Sequence, residues 1–226
     1  MKLQDFVSGG FYINLDYRED RNLLMKNQLI DLELDKIVER MSAVSITSST
    51  VYSLDNKELI TSISRATAES HKKIISTAKE RNYKNVLILE DDAFFLNDEN
   101  VKGLTIIEKS LDDLNNIPNW EVFFLGTNIH DKSLNLVGNN LIKCDSCVST
   151  HAYILNCNSF DKLLSLDLTT HYAMDIWIDQ CLTEKYVAYP MAVPQRGGDL
   201  SDIGGHPSFG PDFWKKHYEK PIIRNF

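Results

Sequence analysis

Three consecutive carboxylates, Glu90, Asp91 and Asp92, directly follow the apolar run of residues 86–89. A short apolar run of this kind is typical of a strand buried on both faces of a parallel sheet, and such sheets bind ligands beyond the carboxyl ends of their strands. If the chain stays extended, Glu90 and Asp92 project to one side and Asp91 to the other. Because Mg²⁺ and Mn²⁺ prefer carboxylate oxygens, the stretch predicts a metal site, with a solvated acidic turn as the alternative.

A further carboxylate, Asp175, lies at the start of a second informative segment. Residues 174, 177, 178, 181 and 182 are apolar at the spacing of an amphipathic helix with one buried face. Asp175 falls in the first turn of that helix, where the helix dipole stabilises a negative charge. The side chain is therefore a candidate for chemistry, with helix capping or simple solvation as the alternative.

The elements that must position these acids begin near the N-terminus. Residues 10–15 read as a strand, and the polar residues 16–21 lead into an amphipathic helix that runs to about residue 30. The connection lacks a glycine-rich fingerprint, so a dinucleotide site of the usual Rossmann form is not predicted. Arg18 and Arg21 could meet a phosphate or a base, although arginines in a first helical turn are more often solvated.

Further strands and helices alternate along the chain, and this pattern predicts an α/β fold with a mostly parallel central sheet flanked by helices. A long polar connection, residues 45–62, precedes a helix that carries Ser70 and His71. A histidine on such a core-facing helix is more often a hydrogen-bonded structural residue than a ligand. The tail, residues 190–211, is rich in proline and glycine and could cover a site or merely finish the surface. The remaining predicted segments are strands at 37–44, 120–126 and 149–155, a hairpin of 134–137 with 141–144, and helices within 63–82 and 97–116.

Charge and composition narrow the classes of function. The 226 residues include 24 basic and 32 acidic side chains, and the basic ones are scattered, so nucleic-acid binding is not expected. No apolar stretch is long enough to cross a bilayer, and no secretion signal is evident, so we expect a cytoplasmic location. Four cysteines are present. The pair Cys144 and Cys147 has redox or half-zinc spacing but no second pair to complete a metal cage, so reduced thiols are expected.

In order and spacing, several segments resemble glycosyltransferase family 25, which contains lipopolysaccharide sugar transferases and collagen galactosyltransferases. Each segment alone is weak evidence, and their order along one chain carries the resemblance. The segments are residues 11–21, Ser70-His71, residues 86–93, 120–126 and 150–154, and Gln195 with residues 201–203.

The resemblance implies one GT-A domain over residues 1–226, a nucleotide-diphosphate sugar as donor (a UDP-sugar first), Mn²⁺ or Mg²⁺ at the acidic motif, and inverting transfer to a hydroxyl of a glycan or protein acceptor. Asp91 would serve the metal, the ribose or the structure, and Asp202 would stand behind the metal ligand His206. The implied metal ligands are Glu90, Asp91, Asp92 and His206. The implied nucleotide-binding residues are Leu15, Arg18, Ala43, Val44, Ser70, His71, Glu90, Asp91, His151 and Gln195.

The chemistry of such a transfer also needs a base, because an inverting reaction requires a carboxylate to accept the proton of the attacking hydroxyl. We assign this role to Asp175 as a hypothesis. Two other functions stay open at this point, since a fold alone never proves activity. They are a catalytically inert module that binds sugar nucleotides or a partner, and a nucleotidyltransferase that uses a related scaffold and metal.

Overall fold

The structure is a computed structural model, and it describes residues 1–46, 56–99, 101–170, 173–197 and 211–224. The side chains of residues 56–60 and 211 are not described. The predictions for His206 and Asp202 lie outside the described residues.

A nine-stranded sheet forms the centre of the described chain, in the order β11-β6-β7-β10-β4-β9-β3-β1-β2. Its strands are β1 (Gly9–Asn14), β2 (Val38–Ser42), β3 (Asn85–Glu90), β4 (Val122–Phe124), β6 (Leu134–Leu136), β7 (Leu141–Lys143), β9 (Ala152–Asn156), β10 (Lys185–Ala188) and β11 (Ile222–Arg224). A small second sheet pairs β5 (Asn128–Ile129) with β8 (Cys147–Val148).

The pairings make the sheet mostly parallel in direction. β9 is antiparallel to both β3 and β4, and β7 is antiparallel to both β10 and β6, whereas the other pairings are parallel. Because two antiparallel steps restore the original direction, β4 and β10 run the same way as β3, β1 and β2. The carboxyl ends of β1 to β4 therefore lie at one edge of the sheet, as the sequence pattern predicted for the acidic strand and the segment 120–126.

Helices cover both faces of this sheet. Inward-facing residues alternate along the strands, so that Phe11, Ile13 and Ile88 belong to one core while Tyr12 and Leu89 belong to the other. The helices are α1 (Leu3–Phe6), α2 (Glu19–Asp31), α3 (Asn56–Glu80), α4 (Gly103–Leu114), α5 (Phe160–Leu164), α6 (Met174–Cys181) and α7 (Pro211–Lys215), with 3₁₀ turns at Cys157–Ser159 and Lys216–Tyr218. The predicted α/β architecture is confirmed.

Three local predictions differ from the structure. The polar connection predicted over residues 45–62 is shorter, because α3 already begins at Asn56. Its serine-rich and threonine-rich sequence hides the helical period there. The strand predicted over residues 149–155 is correct in place but runs antiparallel to its neighbours. The acidic stretch does not stay extended, since the chain turns at residues 91 and 92 and the Ala93 amide donates to the carbonyl of Glu90 at 3.0 Å.

Among the described residues, no helix is both long enough and apolar enough to span a membrane. The cysteines are free thiols, and Cys144 and Cys147 are both buried. The neighbouring thiol of Cys147, followed by burial, raises the pKa of Cys144.

Candidate functional site

The acidic stretch lies at the edge where β1, β3 and the start of β9 come together. Because β9 runs antiparallel to β3, its preceding residues Thr150 and His151 lie beside the carboxyl end of β3, and the Glu90 amide donates to the His151 carbonyl at 2.8 Å. The three acids then separate. Each one is held by a different part of the fold.

Glu90 is bound by α3 and by the residues before β9. The Thr150 hydroxyl donates to its Oε1 at 2.8 Å, and the His71 Nε2 lies 3.3 Å from the same oxygen. The Tyr153 hydroxyl lies 2.8 Å from the other His71 nitrogen, Nδ1. Since a carboxylate can only accept, the His71 Nε2 donates to Glu90. Burial would raise the pKa of Glu90, but the His71 and Thr150 hydrogen bonds outweigh it and lower that pKa.

Asp91 points the other way, into a buried polar cluster with β1 and α2. The Asn14 amide nitrogen donates to one of its oxygens at 2.7 Å, and the Arg21 guanidinium donates to the other at 3.1 Å. Arg21 is only 6% exposed, so the alternative that it is a solvated arginine of the first helical turn is wrong. The Arg40 guanidinium in turn donates to Asn14. Asp91 therefore joins three elements, which favours its structural reading over direct metal binding.

Asp92 is held by the chain that follows β10. The Gln195 amide nitrogen donates to its Oδ2 at 3.0 Å, and the Arg196 amide donates to its carbonyl. The other carboxylate oxygen, Oδ1, is buried and has no hydrogen-bond partner within the described part of the chain. Burial, followed by the charges of Glu90 and Asp91, raises the pKa of Asp92 to about 8. Within the described part of the chain, no hydrogen-bond donor balances the negative charge of Asp92 at Oδ1.

Residues 192–196, which we call the strap, bring Gln195 to this position. On one side, the amides of Ala192 and Val193 donate to the carbonyl of Leu125. On the other side, the Phe94 amide donates to the carbonyl of Pro194, and the Leu96 amide donates to the carbonyl of Ala192. Gln195 also forms an antiparallel bridge with Ala93. The strap thus lies across the carboxyl ends of β3 and β4.

The side chain of His151 holds the strap in place through a hydrogen bond. The side chain is fully buried, and its Nε2 donates to the carbonyl of Val193 at 2.8 Å while the Ser149 hydroxyl lies 3.1 Å from Nδ1. Burial lowers the pKa of His151, so its ring is neutral near pH 7. The Trp214 ring of α7 packs against it, with ring centroids 4.7 Å apart. These contacts occupy both ring nitrogens, so the structure gives His151 a supporting place where the resemblance implied contact with a nucleotide.

Asp175 lies in the first turn of α6, as the sequence predicted. Its side chain is partly buried, and its Oδ1 accepts from the Ile176 amide at 2.8 Å. Burial raises the pKa of Asp175, and the nearby charge of Glu90 adds to this effect. The carboxyl groups of Asp175 and Asp92 therefore both interact electrostatically with Glu90, from different elements of the fold.

The residues implied to line the nucleotide are near the ends of β1 and β2. Leu15, Ala43 and Val44 are partly exposed there, and the Ser70 hydroxyl accepts from the Val44 amide at 2.8 Å. Ser70 itself is fully buried, so it supports this edge from α3. The Arg18 guanidinium lies against Asp20, with donor distances of 3.0 and 2.9 Å.

A cleft of about 580 Å³ opens beside these residues. It lies between the first turns of α2 and the outer strand β2. Its lining mixes acidic, basic and apolar side chains, from Asp16, Glu19, Asp20, Asn22, Leu23, Lys26 and Arg40.

The metal-binding prediction can be tested against this geometry. Within the described residues, no three His, Cys, Asp or Glu side chains form a group that could hold a metal ion. Glu90 and Asp91 are engaged by protein donors, but the buried Oδ1 of Asp92 fits a cation ligand, because a cation would supply the charge that this oxygen lacks. Mg²⁺ commonly uses only one or two carboxylates and completes its shell with water and substrate phosphates. Asp92 is therefore the described residue on which the metal-binding prediction depends.

Sequence reasoning missed the role of the side chains that hold the acids in place. Asn14 and Thr150 lie beside buried strand ends and Arg21 lies in the first turn of α2, and their partners are 60 to 77 residues away in the chain. The one available signal was the polar residue Asn14 at the end of an otherwise apolar strand.

Comparisons with known proteins find distant similarities to solved structures. No family model matches the chain, and no curated protein matches it. Solved structures that align with it include A197 from STIV, with 9% identity and a TM-score of 0.47 over 90% of this chain and 94% of that chain.

Two other alignments have lower TM-scores. The mannose-1-phosphate geranyltransferase from Thermus thermophilus has 9% identity and a TM-score of 0.40, over 86% of this chain and 61% of that chain. The nucleoside-diphosphate-sugar pyrophosphorylase from Vibrio cholerae has 10% identity and a TM-score of 0.36, over 94% of this chain and 82% of that chain. These similarities assign no reaction to the chain.

Proposed function

We propose that the chain is a metal-dependent glycosyltransferase that moves a sugar from a nucleotide-diphosphate sugar to a hydroxyl group of a glycan or protein acceptor, as its resemblance to family 25 implies. The observation that carries the proposal is Asp92, whose buried Oδ1 lacks a partner among the described residues at the carboxyl edge of the sheet. An uncompensated buried carboxylate costs stability, so its presence is best explained by a ligand.

The protein residues have distinct roles in this proposal. Asp92 would hold Mn²⁺ or Mg²⁺ together with the donor phosphates, and a bound divalent cation there supplies charge neutralisation for the departing nucleotide diphosphate. Asp175 would accept the proton of the acceptor hydroxyl, and its raised pKa suits a base because proton transfer is most efficient near the operating pH. The exposed ends of β1 and β2 would receive the nucleoside.

The nucleotidyltransferase that the sequence left open stays the second candidate, because it would use the same buried Asp92 carboxylate and a cation at the carboxyl edge of the sheet. Three further expectations belong to the same proposal: the GT-A fold, one domain over residues 1–226, and a cytoplasmic location.

Isothermal titration with a panel of nucleotide-diphosphate sugars, UDP-sugars first, with and without Mn²⁺, tests donor binding. Assays of released nucleotide diphosphate and of pyrophosphate then identify the reaction. We expect Mn²⁺-dependent binding of one donor and release of its nucleotide diphosphate. Pyrophosphate formed from a nucleoside triphosphate and a sugar phosphate would identify a nucleotidyltransferase. Binding without any turnover would identify an inert module.

A further inference from the structure

The strap has a feature that the proposed function does not use. Gln195 directs a side-chain hydrogen bond at the acidic stretch, and the bond ends on Oδ2 of Asp92, 3.0 Å away. The strap also contacts residues 92, 94 and 96 through backbone hydrogen bonds, which hold the two segments together. Gln195 therefore adds a contact with the carboxylate itself, which the backbone pairing of the strap does not provide.

The effect of this bond is to fix the orientation of the Asp92 carboxylate. A carboxylate without such a bond can rotate about its Cβ–Cγ bond, so the directions in which its two oxygens point would vary. With Oδ2 accepting from Gln195, Oδ1 is left as the oxygen that can bind a cation. Oδ1 is buried and lacks a partner among the described residues, so the site is already set for one metal bond.

We propose that Gln195 is a positioning residue for the cation, acting through Asp92 and contacting neither the metal nor the nucleotide. The inference rests on the proposed function, because it takes Asp92 as the cation ligand. Carboxylates that bind metals are themselves oriented by hydrogen bonds, and loss of such an outer partner typically weakens metal binding about 10- to 100-fold. The resemblance implied nucleotide contact for Gln195, so the inference assigns this side chain a different role.

The chain offers a matched control in Gln28 of α2. The Gln28 amide nitrogen donates to the carbonyl of Ala93 at 3.0 Å, and its Oε1 accepts from the Phe95 amide at 3.0 Å. Gln28 therefore supports the same segment of backbone from the other side, through bonds that do not involve the Asp92 carboxylate. A role in holding the segment predicts similar effects for Gln28 and Gln195, whereas a role in orienting the carboxylate predicts an effect for Gln195 alone.

The experiment measures Mn²⁺ binding directly, with no nucleotide or sugar present. Electron paramagnetic resonance of free Mn²⁺ gives the dissociation constant for the full chain and for Gln195→Met, Gln28→Met and Asp92→Asn. Methionine keeps the length of glutamine and removes its hydrogen bonds. Melting temperatures confirm that each variant is folded.

We expect Gln195→Met to weaken Mn²⁺ binding about 10- to 100-fold, Asp92→Asn to abolish it, and Gln28→Met to change it less than about threefold. Equal affinities for the full chain and Gln195→Met would overturn the inference, as would an equal loss in Gln28→Met or a full chain that binds no Mn²⁺. If Mn²⁺ binds as expected but no donor sugar is used, the proposed function fails and the role of Gln195 stands.

Discussion

The three acids at this site differ in the hydrogen bonds that balance their negative charges. Glu90 accepts two hydrogen bonds at Oε1 and Asp91 accepts one at each oxygen, whereas Asp92 keeps a buried oxygen without a partner in the described chain. Three adjacent acids in the sequence are thus three different chemical environments. A residue-level prediction follows for each of the two acids that we place in the chemistry.

Replacing Asp92 should stabilise the protein at neutral pH. The folded state holds the Asp92 proton up to about pH 8, whereas an unfolded aspartate releases it near pH 4. Between these values the unfolded state binds fewer protons, so the stability of the wild type falls as the pH rises. Each unit of pKa difference corresponds to about 1.4 kcal/mol. Thermal melts in metal-free buffer should show Asp92→Asn melting higher than wild type at pH 8, with the difference vanishing toward pH 4.

A melting difference that does not depend on pH would contradict the raised pKa of Asp92. Asp161→Asn, on the exposed surface of α5, is the control, and it should change neither the melting temperature nor its pH dependence by a comparable amount. Stabilisation by removal of a functional group is expected wherever a site keeps an unfavourable charge for its ligand.

Replacing Asp175 should separate binding from chemistry. We expect Asp175→Asn to lower the turnover number for sugar transfer about 10²- to 10⁴-fold, the usual contribution of a general base, and to leave the donor dissociation constant within about threefold. Asp179→Asn, four residues along α6, is the control. Its carboxylate accepts from Lys185 and the Cys147 amide, so this change should lower the melting temperature and spare turnover. Equal losses of donor binding and turnover in Asp175→Asn would refute its assignment as the base.

At the scale of elements, the sequence predicted the strands and helices that have a local hydrophobic period or that end at a turn. The apolar runs ending at Glu90 and Leu125, the hairpin of β6 and β7, and the helical spacing from Met174 all have short-range causes, and each was predicted. The antiparallel direction of β9 was not, because it depends on which strands lie beside it. The antiparallel direction of β9 also brings Thr150 and His151 next to the acids, so local sequence patterns could not predict this part of the site.

The strap depends on Gly126, the last residue of the segment 120–126. A Cβ atom added to Gly126 would overlap with the carbonyl of Val193, and this carbonyl is a backbone group that cannot move alone. We expect Gly126→Ala to lower the free energy of unfolding by about 1–3 kcal/mol, the usual cost of overpacking, and to weaken Mn²⁺ binding by shifting the strap. Urea denaturation and Mn²⁺ titration test the two effects.

Gly138→Ala gives the comparison for this prediction. A Cβ atom there would meet side-chain atoms of Asp113, and displacing them would break the hydrogen bond from the Asn140 amide to that carboxylate. These contacts do not involve the strap, so a loss of stability with unchanged Mn²⁺ affinity is expected. If Gly126→Ala also left the Mn²⁺ affinity unchanged, the strap would have more freedom than its hydrogen bonds to Leu125 indicate.

At the scale of the whole molecule, the C-terminal helix completes the structure around the site. Trp214 of α7 is only 1% exposed and packs on His151, while the Tyr218 hydroxyl accepts from the Thr127 amide at 3.3 Å. These contacts join the end of the chain to the residues that follow β4 and precede β9. Folding of the acidic edge and docking of the C-terminal helix should therefore be one cooperative event.

This coupling predicts the effect of truncating Trp214. Trp214→Ala should lower the free energy of unfolding by about 3–5 kcal/mol, as for other fully buried aromatic side chains, and Trp214→Phe should lose less because it keeps a ring against His151. Urea unfolding followed by far-UV circular dichroism and by tryptophan fluorescence should give one shared transition in the wild type. Two separate transitions, or a loss below about 1 kcal/mol in Trp214→Ala, would mean that α7 only covers a core that is already complete without it.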